Sequence, residues 1–319
     1  MKIINAKLIE DSIDFVELVE QIKKYYILLK NGTVSITPRL FSPTENGGIH
    51  IIGGATNFDT QNFIAMAQPV MPWLGEQGLP VATTSYLYSS YKTGELKAVI
   101  GGADVVKYRT PAKSVLAAKY LAAEKKEYTL GLFGMGIQAV THALAFAATF
   151  NVTKIVAYVR NPEKRRENID AITAKLGISV ELLSREEVIA QSDILVVVTS
   201  SKEPLVHLSD LHKGQLIIGT DHAQTVAKDV VLGADQVFVD YRPTAENEMA
   251  SVKLLLDEGN TYEEIVDGDL LQLTADELRG RATEDEIIFF QSLGVLCENL
   301  AAVEYFYHKC KDRAQEVEI

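Results

Sequence analysis

The chain has 319 residues, 47% of them hydrophobic and 23% charged, and its formal net charge is −12. This length favours about two domains, and the composition is typical of a globular enzyme rather than a fibrous or disordered protein. An acidic chain repels phosphate backbones, so no nucleic acid partner is expected. The sequence has no signal-peptide pattern, no apolar run long enough for a membrane span and no metal-ligand spacing among its six His and two Cys residues. We therefore expect a cytoplasmic protein with reduced thiols, no membrane contact and no metal site.

The first third of the chain predicts an α+β unit. Residues 2–9 read as a strand, and residues 13–29 read as a helix with one apolar face. The region 33–98 is rich in Gly, Pro, Thr and aromatic residues and contains three further strand candidates, at 63–67, 81–88 and 96–100. The turn at residues 92–94 separates the last two candidates, as in a hairpin. This part of the chain is predicted to form an antiparallel sheet with one or two helices.

A dinucleotide-binding pattern follows. Residues 128–133 form a short apolar run that predicts a strand, and residues 137–150 predict a helix. Between them stand Gly134, Gly136 and Ala139, in the pattern G-x-G-x-x-A. The first glycine permits a sharp turn, the second lets a pyrophosphate approach the main chain, and the alanine lets the helix pack closely on the strand. The N–H groups at the helix start then hold the phosphate charge.

Strands and helices alternate through most of the remaining chain, which predicts a doubly wound parallel sheet of the Rossmann type. The predicted strands lie at 154–159, 179–183, 194–199, 216–220 and 237–240. The predicted helices lie at 109–123, 162–176, 185–190, 245–258 and 289–309. The apolar run 194–198 is typical of a central parallel strand buried on both faces. The last residues, 312–319, are expected to fray.

The end of the second strand of this unit bears on the choice between NAD and NADP. NAD-specific sites usually carry an acidic residue there, which binds the ribose hydroxyls. Here Arg160 and Asn161 stand instead, with Lys164 and Arg165 just beyond. A cation at this point can pair with a 2′-phosphate, so NADP is favoured and NAD stays possible. The alternative is a solvated basic turn.

Polar residues also follow two later strands. Thr199, Ser200 and Ser201 come directly after the buried strand, where cofactor and substrate meet in folds of this type. Gly219 ends the next strand and is followed by Thr220 and Asp221, whose carboxylate is a candidate acid/base group. A simple turn is the alternative interpretation in both places.

A set of short segments, in this order and spacing, resembles the ornithine cyclodeaminase/mu-crystallin family over about four fifths of the chain. This family includes alanine dehydrogenases and ketimine reductases. The matching segments are Pro38-Arg39, Gly78-Leu79-Pro80, Tyr91-Lys92-Thr93-Gly94, Arg109-Thr110 with Ala112, residues 134–139, Thr199 with Pro204, Gly219-Thr220-Asp221, Val239-Asp240 and Ser292-Leu293-Gly294.

The resemblance implies roles for these positions. Arg39 and Arg109 are similar to the guanidinium pair that holds a substrate α-carboxylate, a task that suits the planar arginine fork. Asp221 is similar to the group that moves protons at the reacting carbon–nitrogen centre. The implied cofactor contacts, together with those from the glycine pattern, are Thr110, Gly134, Gly136, Ile137, Gln138, Arg160, Asn161, Thr199, Ser200, Gly219, Ser292 and Leu293.

The resemblance also implies an arrangement of domains. Residues 1–118 and 290–319 are expected to form a substrate-binding and dimerisation domain, and residues 119–289 the dinucleotide-binding domain. A homodimer through the N-terminal sheet would cover tyrosines such as Tyr86, Tyr88 and Tyr91. The alternative is that they lie over the nucleotide domain of a monomer.

Two departures leave the reaction open. Family cyclodeaminases and reductases carry an active-site lysine where this chain has Ile64, and no lysine occurs between Lys30 and Lys92. Glu298-Asn299 also replaces a common Glu-Asp pair. We expect an NAD(P)-dependent oxidoreductase that reduces an imino acid or oxidises an amino acid. The alternatives are a non-catalytic protein that binds NADP or a small ligand, and a cyclodeaminase.

Overall fold

The computed structural model describes residues 1–77, 79–199, 201, 203–220 and 225–318. Its strands are β1 Lys2–Ile4, β2 Val34–Ile36, β3 Leu40–Pro43, β4 Ile49–Asn57, β5 Asn62–Val70, β6 Ser85–Ser90, β7 Leu96–Gly101, β8 Tyr128–Phe133, β9 Val152–Tyr158, β10 Val180–Leu182, β11 Ile194–Val197, β12 Leu216–Gly219, β13 Gln236–Val239, β14 Gly268–Asp269, β15 Ile288–Gln291 and β16 Gln315–Glu316. Its α-helices are α1 Ala6–Glu10, α2 Phe15–Lys30, α3 Gly102–Leu121, α4 Ile137–Thr149, α5 Arg166–Leu176, α6 Arg185–Gln191, α7 Lys228–Gly233, α8 Arg242–Glu248, α9 Ala250–Asp257, α10 Tyr262–Ile265, α11 Leu270–Thr274 and α12 Leu296–Cys310. Short 3₁₀ helices span Pro72–Gln77, Glu163–Arg165 and Leu208–Asp210.

The chain divides into two compact units. One comprises Met1–Arg109 and Leu296–Ile319, and the other comprises Thr110–Val295. The predicted division fell after residue 118 and before residue 290. The first boundary lies inside α3, because that helix begins at Gly102, seven residues before the sequence pattern indicated. The second follows β15, which belongs to the parallel sheet.

The first unit is an α+β unit built on one mixed sheet. The strand order is β16-β1-β7-β6-β5-β4-β2, with β3 paired to β4. Only β1 and β7 run parallel among these pairs, and the predicted hairpin of β6 and β7 is confirmed. Alternate side chains such as Ile64, Met66, Tyr86 and Tyr88 point inward and are buried, and α2 and α12 pack together within this unit. The expectation that a second subunit covers Tyr86 and Tyr88 was wrong, because both are already buried in the single chain. Its two cysteines are free thiols.

Both ends of the chain differ from expectation. The predicted strand 2–9 stops at Ile4, because the Asn5 side chain accepts a hydrogen bond from the Leu8 N–H and caps α1. The C-terminal residues, expected to fray, pair with β1 as strand β16. The N-terminal ammonium also donates a hydrogen bond to the carbonyl of Val317 at 2.9 Å.

The second unit contains the predicted Rossmann-type sheet. Its strand order is β10-β9-β8-β11-β12-β15-β13-β14, and every pairing is parallel. The direction in which successive strands are added reverses between β8 and β11, where Phe133 pairs with Val197. A ligand crevice is expected beyond the carboxyl ends of the strands at such a reversal.

The predicted helix 289–309 was wrong in its first part. Residues Ile288–Gln291 form β15, inserted between β12 and β13, and the helix begins only at Leu296. A short apolar run does not by itself distinguish a buried strand from a buried helix, and Phe289 and Phe290 are buried on opposite faces of the sheet. The predicted helix 245–258 is likewise two helices, interrupted at Met249. Throughout the described residues, no helix combines the length and apolar character that a membrane crossing requires.

Candidate functional site

Gly134 makes the turn that leaves β8. Its φ is +97°, in the left-handed region that favours glycine. A Cβ placed there would lie 2.9 Å from the carbonyl oxygen of Val198 and 3.2 Å from the Cα of Thr199. The turn therefore lies directly against the end of β11, and its N–H donates to the Tyr158 carbonyl of β9 at 3.0 Å.

Gly136 precedes α4 and plays a different part. Its φ of −83° is open to any residue, and a Cβ there would meet no atom within 4 Å. Gly136 is the N-cap residue of α4 and has no side chain that could cap the helix. The Nδ2 of Asn168 donates to the Met135 carbonyl at 2.8 Å and holds the turn between the two glycines. The turn thus presents main chain and a positive helix end to open space, as a phosphate site requires.

A cavity of about 330 Å³ lies beside this turn. It is lined by Gly134, Met135, Gly136, Tyr158, Val159, Arg160, Asn161, Lys164, Arg165, Val198, Thr199 and Leu205. The structure thus brings together five of the predicted cofactor residues, namely the two glycines, Arg160, Asn161 and Thr199. Ile137 and Gln138 form the adjoining first turn of α4.

The outer rim of the cavity is basic. Arg160, Lys164 and Arg165 are exposed, and no acidic side chain occurs among the described lining residues. The Oδ1 of Asn161 accepts a hydrogen bond from the Lys164 N–H at 3.3 Å, which shapes the turn after β9. Glycines at the inner end and cations at the rim fit the phosphates of a dinucleotide, including a 2′-phosphate on the adenosine ribose.

A second predicted segment, Ser292-Leu293-Gly294, forms a turn after β15. The Ser292 N–H donates to the Gly219 carbonyl of β12 at 2.9 Å. On the other side, the N–H groups of Leu293 and Gly294 donate to the Oδ2 of Asp240 at 2.7 and 2.6 Å. The turn is thus tied to the ends of both neighbouring strands.

Lys113 completes this arrangement and had no predicted role. Its Nζ donates to the same Oδ2 of Asp240 at 3.0 Å, and both side chains are fully buried. Burial opposes the ionisation of Asp240, yet the Lys113 charge and the two N–H donors hold the pKa of its carboxyl below the usual value. The one available signal was a lysine within a helical stretch of small and apolar residues.

A buried polar chain links the start of α4 to α3. Burial lowers the pKa of His142 to about 4, and the nearby Lys113 charge adds to this, so the ring is neutral. Its Nδ1 lies 2.7 Å from the Gln138 carbonyl and donates to it, so its Nε2 accepts from the Ser114 hydroxyl at 3.0 Å. Ser114 also lies 3.3 Å from the carbonyl of Thr110, a predicted phosphate contact.

The predicted carboxylate-binding arginines belong to the first unit. Arg109 is largely buried, and its Nη1 donates to the Oε2 of Glu298 at 3.2 Å. The other oxygen of Glu298 accepts the Tyr26 hydroxyl at 2.5 Å. Arg39 directly precedes β3 and is half-buried. Glu298 therefore orients Arg109, a role that only the long-range contact reveals.

Some predicted residues lie outside the described part of the chain. These are Gly78, Ser200 and Asp221, so their predicted roles stay predictions. Elsewhere, within the described ranges, no group of three or more His, Cys, Asp or Glu side chains has the arrangement of a metal site.

The chain is similar in sequence and in fold to known reductases and dehydrogenases. Delta(1)-pyrroline-2-carboxylate reductase of Bacillus thuringiensis subsp. konkukian is 28% identical over 228 residues, which cover 70% of each chain. Alanine dehydrogenase of Archaeoglobus fulgidus is 26% identical over 314 residues, covering 96% of this chain and 94% of that protein. The solved structure of Thermococcus litoralis Delta(1)-pyrroline-2-carboxylate reductase in complex with NADH and L-proline has a TM-score of 0.93 and 26% identity. That match covers 99% of this chain and 100% of the other.

The comparison with protein families agrees with the resemblance of the short segments. Residues 2–314 match the model of one family, so the match includes both units. The chain belongs to the ornithine cyclodeaminase/mu-crystallin family.

Proposed function

We propose that this protein is an NADP-preferring oxidoreductase that reduces a small cyclic imino acid, held by its carboxylate, to the corresponding amino acid. The observation that carries this proposal is the cavity at the Gly134–Gly136 turn, with its basic rim at Arg160. The pyrroline-2-carboxylate reductases among its relatives support the substrate class. NAD remains a possible second cofactor.

In this proposal the residues of the chain bind the substrate and move a proton. A bound reduced nicotinamide would supply the hydride for the imine carbon, and the proton for the imine nitrogen would come from Asp221 or from a substrate that arrives protonated. Arg39 and Arg109 hold the substrate carboxylate with charge-assisted hydrogen bonds. Asp221 serves as the acid/base group at the reacting centre.

Ile64 limits the range of reactions. Its side chain is buried and points to the inner face of the first unit's sheet, and it offers neither charge nor proton. General acid–base help is worth roughly 10²–10⁴ in rate, so reactions with several proton transfers should suffer most. Ring closure of ornithine is such a reaction. Reduction of an imine that arrives protonated needs far less help.

A panel of 2-carboxylated cyclic imines, assayed by the oxidation of NADPH and of NADH, tests the proposal. We expect turnover with at least one imine, faster with NADPH, and no ammonia release from ornithine. Asp221→Asn should abolish turnover and leave NADPH binding intact. Tight NADPH binding without turnover of any imine would favour the alternative, a non-catalytic binding protein.

We also infer a cytoplasmic homodimer formed through the sheet of the first unit. The outward face of that sheet carries the exposed side chains of Leu40, Ile52 and Leu87, and small Ala65 lies opposite Leu87. Such an apolar face is suited to a two-fold contact. Light scattering should give twice the 35.1 kDa monomer mass, and Leu87→Arg should lower it toward the monomer value. A wild-type protein of monomer mass would refute this inference.

A further inference from the structure

The turn at Ser292-Leu293-Gly294 is held by the carboxylate of Asp240, which is fully buried. Three donors converge on a single oxygen, the Oδ2 of Asp240: the Lys113 ammonium and the N–H groups of Leu293 and Gly294. The other oxygen, Oδ1, accepts no hydrogen bond from the residues that the structure describes. One atom therefore holds this side of the turn.

The opposite side of the turn is tied as closely. The Ser292 N–H donates to the carbonyl of Gly219 at 2.9 Å, and Gly219 directly precedes Thr220 and the proposed acid/base residue Asp221. Gly294 adopts a φ of +99°, so the chain reverses sharply after the two N–H donors. Asp240 and Gly219 thus hold the Ser292–Gly294 turn from the ends of β13 and β12, the two strands that flank β15.

The buried ion pair of Lys113 and Asp240 is not well explained by a gain in stability. Removing two charges from water is costly, and replacing a buried ion pair by apolar residues is often neutral or stabilising. Residues 110–118 are all buried, so Lys113 extends from the middle of a buried helix segment. Its charge is what balances the Asp240 carboxylate and keeps that carboxylate available to the two N–H donors.

We propose that Lys113 and Asp240 are positioning residues: their buried ion pair fixes the Ser292–Gly294 turn and, through that turn, the place of the nicotinamide half of the cofactor. This inference rests on the proposed function and on the family resemblance, which implies that Ser292 and Leu293 contact the nicotinamide side of the cofactor. Without the ammonium, the Asp240 carboxylate has no balancing charge and holds the turn less firmly. The phosphate turn at Gly134–Gly136 makes none of these contacts.

Two ligands separate a positioning effect from general damage. NADPH carries the nicotinamide ring, and 2′-phospho-ADP-ribose lacks that ring but keeps the rest of the dinucleotide. Lys113→Met removes the charged Nζ and keeps an unbranched side chain only one atom shorter. We expect it to weaken NADPH binding roughly tenfold, equivalent to about 1.4 kcal/mol, and to leave 2′-phospho-ADP-ribose binding within about twofold. Titration calorimetry with both ligands, alongside thermal melting, measures this.

Lys125→Met is the matched control. Lys125 pairs with Asp193, which also accepts a peptide N–H, from Thr129 at 2.7 Å. These residues lie at the amino ends of β8 and β11, the edge of the sheet opposite the cofactor crevice. The control should bind both ligands as the wild type does. A lower melting temperature in both variants, with NADPH binding weakened only in Lys113→Met, is the expected pattern.

Two results would overturn the inference: a folded Lys113→Met variant whose NADPH affinity equals that of the wild type, or one in which both ligands are weakened equally. Should that variant not fold, Lys113→Met/Asp240→Asn removes both charges and should show the same selective loss, smaller in size; wild-type affinity for NADPH there would contradict the inference. The measurement needs no turnover. Absence of imine reduction in the wild type would therefore sink the proposed function while the two affinities still decide this point.

Discussion

Gly134 lies so close to Val198 that no side chain fits between them, since a Cβ would stand 2.9 Å from the Val198 carbonyl oxygen. Gly136, two residues on, has open space where its Cβ would be. The two glycines of one motif are therefore required for different reasons. The first is needed for the fold of the turn, whereas at the second we expect the open space to serve the ligand.

This difference gives the first prediction. Gly134→Ala combines a φ of +97° with a backbone clash and should lower the free energy of unfolding by more than about 1 kcal/mol. The free energy of unfolding of Gly136→Ala should lie within about 1 kcal/mol of the wild-type value, because the only cost is that alanine is a less favourable N-cap residue than glycine. Its methyl group should nevertheless weaken NADPH binding. Urea denaturation and titration calorimetry separate the effects, and equal behaviour of the two variants would argue against this account.

Arg160 should set the preference for NADPH. A charge-assisted hydrogen bond is worth about 1.5–3 kcal/mol, so Arg160→Ala should weaken NADPH binding roughly tenfold to a hundredfold. NADH, which has no 2′-phosphate, should bind as before. Arg166→Ala is a suitable control, because Arg166 pairs with Asp170 on an exposed helix and does not line the cavity. An unchanged ratio of affinities in Arg160→Ala would rule out this role.

Glu298 should contribute strongly to the free energy of unfolding, because it is the buried partner of Arg109. Glu298→Ala leaves Arg109 largely buried without its carboxylate, and breaking a buried pair in this way costs roughly 3–5 kcal/mol. Tyr26→Phe removes a single hydrogen bond to the same carboxylate and should cost less, about 1.5–3 kcal/mol. Urea denaturation of the two variants checks the order. A Glu298→Ala protein as stable as Tyr26→Phe would contradict it.

His142 should make the folded state sensitive to acid. Its pKa is about 4 when folded, against an ordinary value of 6.5, because burial disfavours the charged ring. Between these values the unfolded state binds a proton that the folded state excludes, so stability rises with pH. Above pH 6.5 His142 does not lower the free energy of unfolding. As the pH drops to 4, its titration lowers the free energy of unfolding by about 3 kcal/mol.

Comparison of His142→Gln with the wild type isolates this contribution. The variant should lose less stability between pH 7 and 4, since its side chain does not titrate, while losses from carboxylates are common to both proteins. His308→Gln serves as control, because His308 is exposed at the end of α12. Parallel pH profiles for the wild type and His142→Gln would show that the buried ring is not responsible.

Much of the second unit could be predicted because its signals are local. A strand, a glycine turn and a helix follow one another within residues 128–150. Each of these elements has a steric requirement that can be recognised from its residue types alone. Arg160 could be placed at the rim of the cavity because it closely follows the next strand, β9. The same locality explains the errors: β15 was taken for part of a helix, since Phe289 and Phe290 are equally compatible with either structure until their neighbours are known.

The sequence by itself determined the fold class, the family and the glycine turn after β8. The tertiary structure alone decided which charged residues meet in its interior. Lys113 and Asp240 are 127 positions apart, and Arg109 and Glu298 are 189 apart, so no local pattern joins them. Their pairing depends on the order of strands in a sheet and on a final helix that returns to the first unit. A buried charge is tolerated only beside its partner, and that partner is fixed by packing rather than by spacing along the chain.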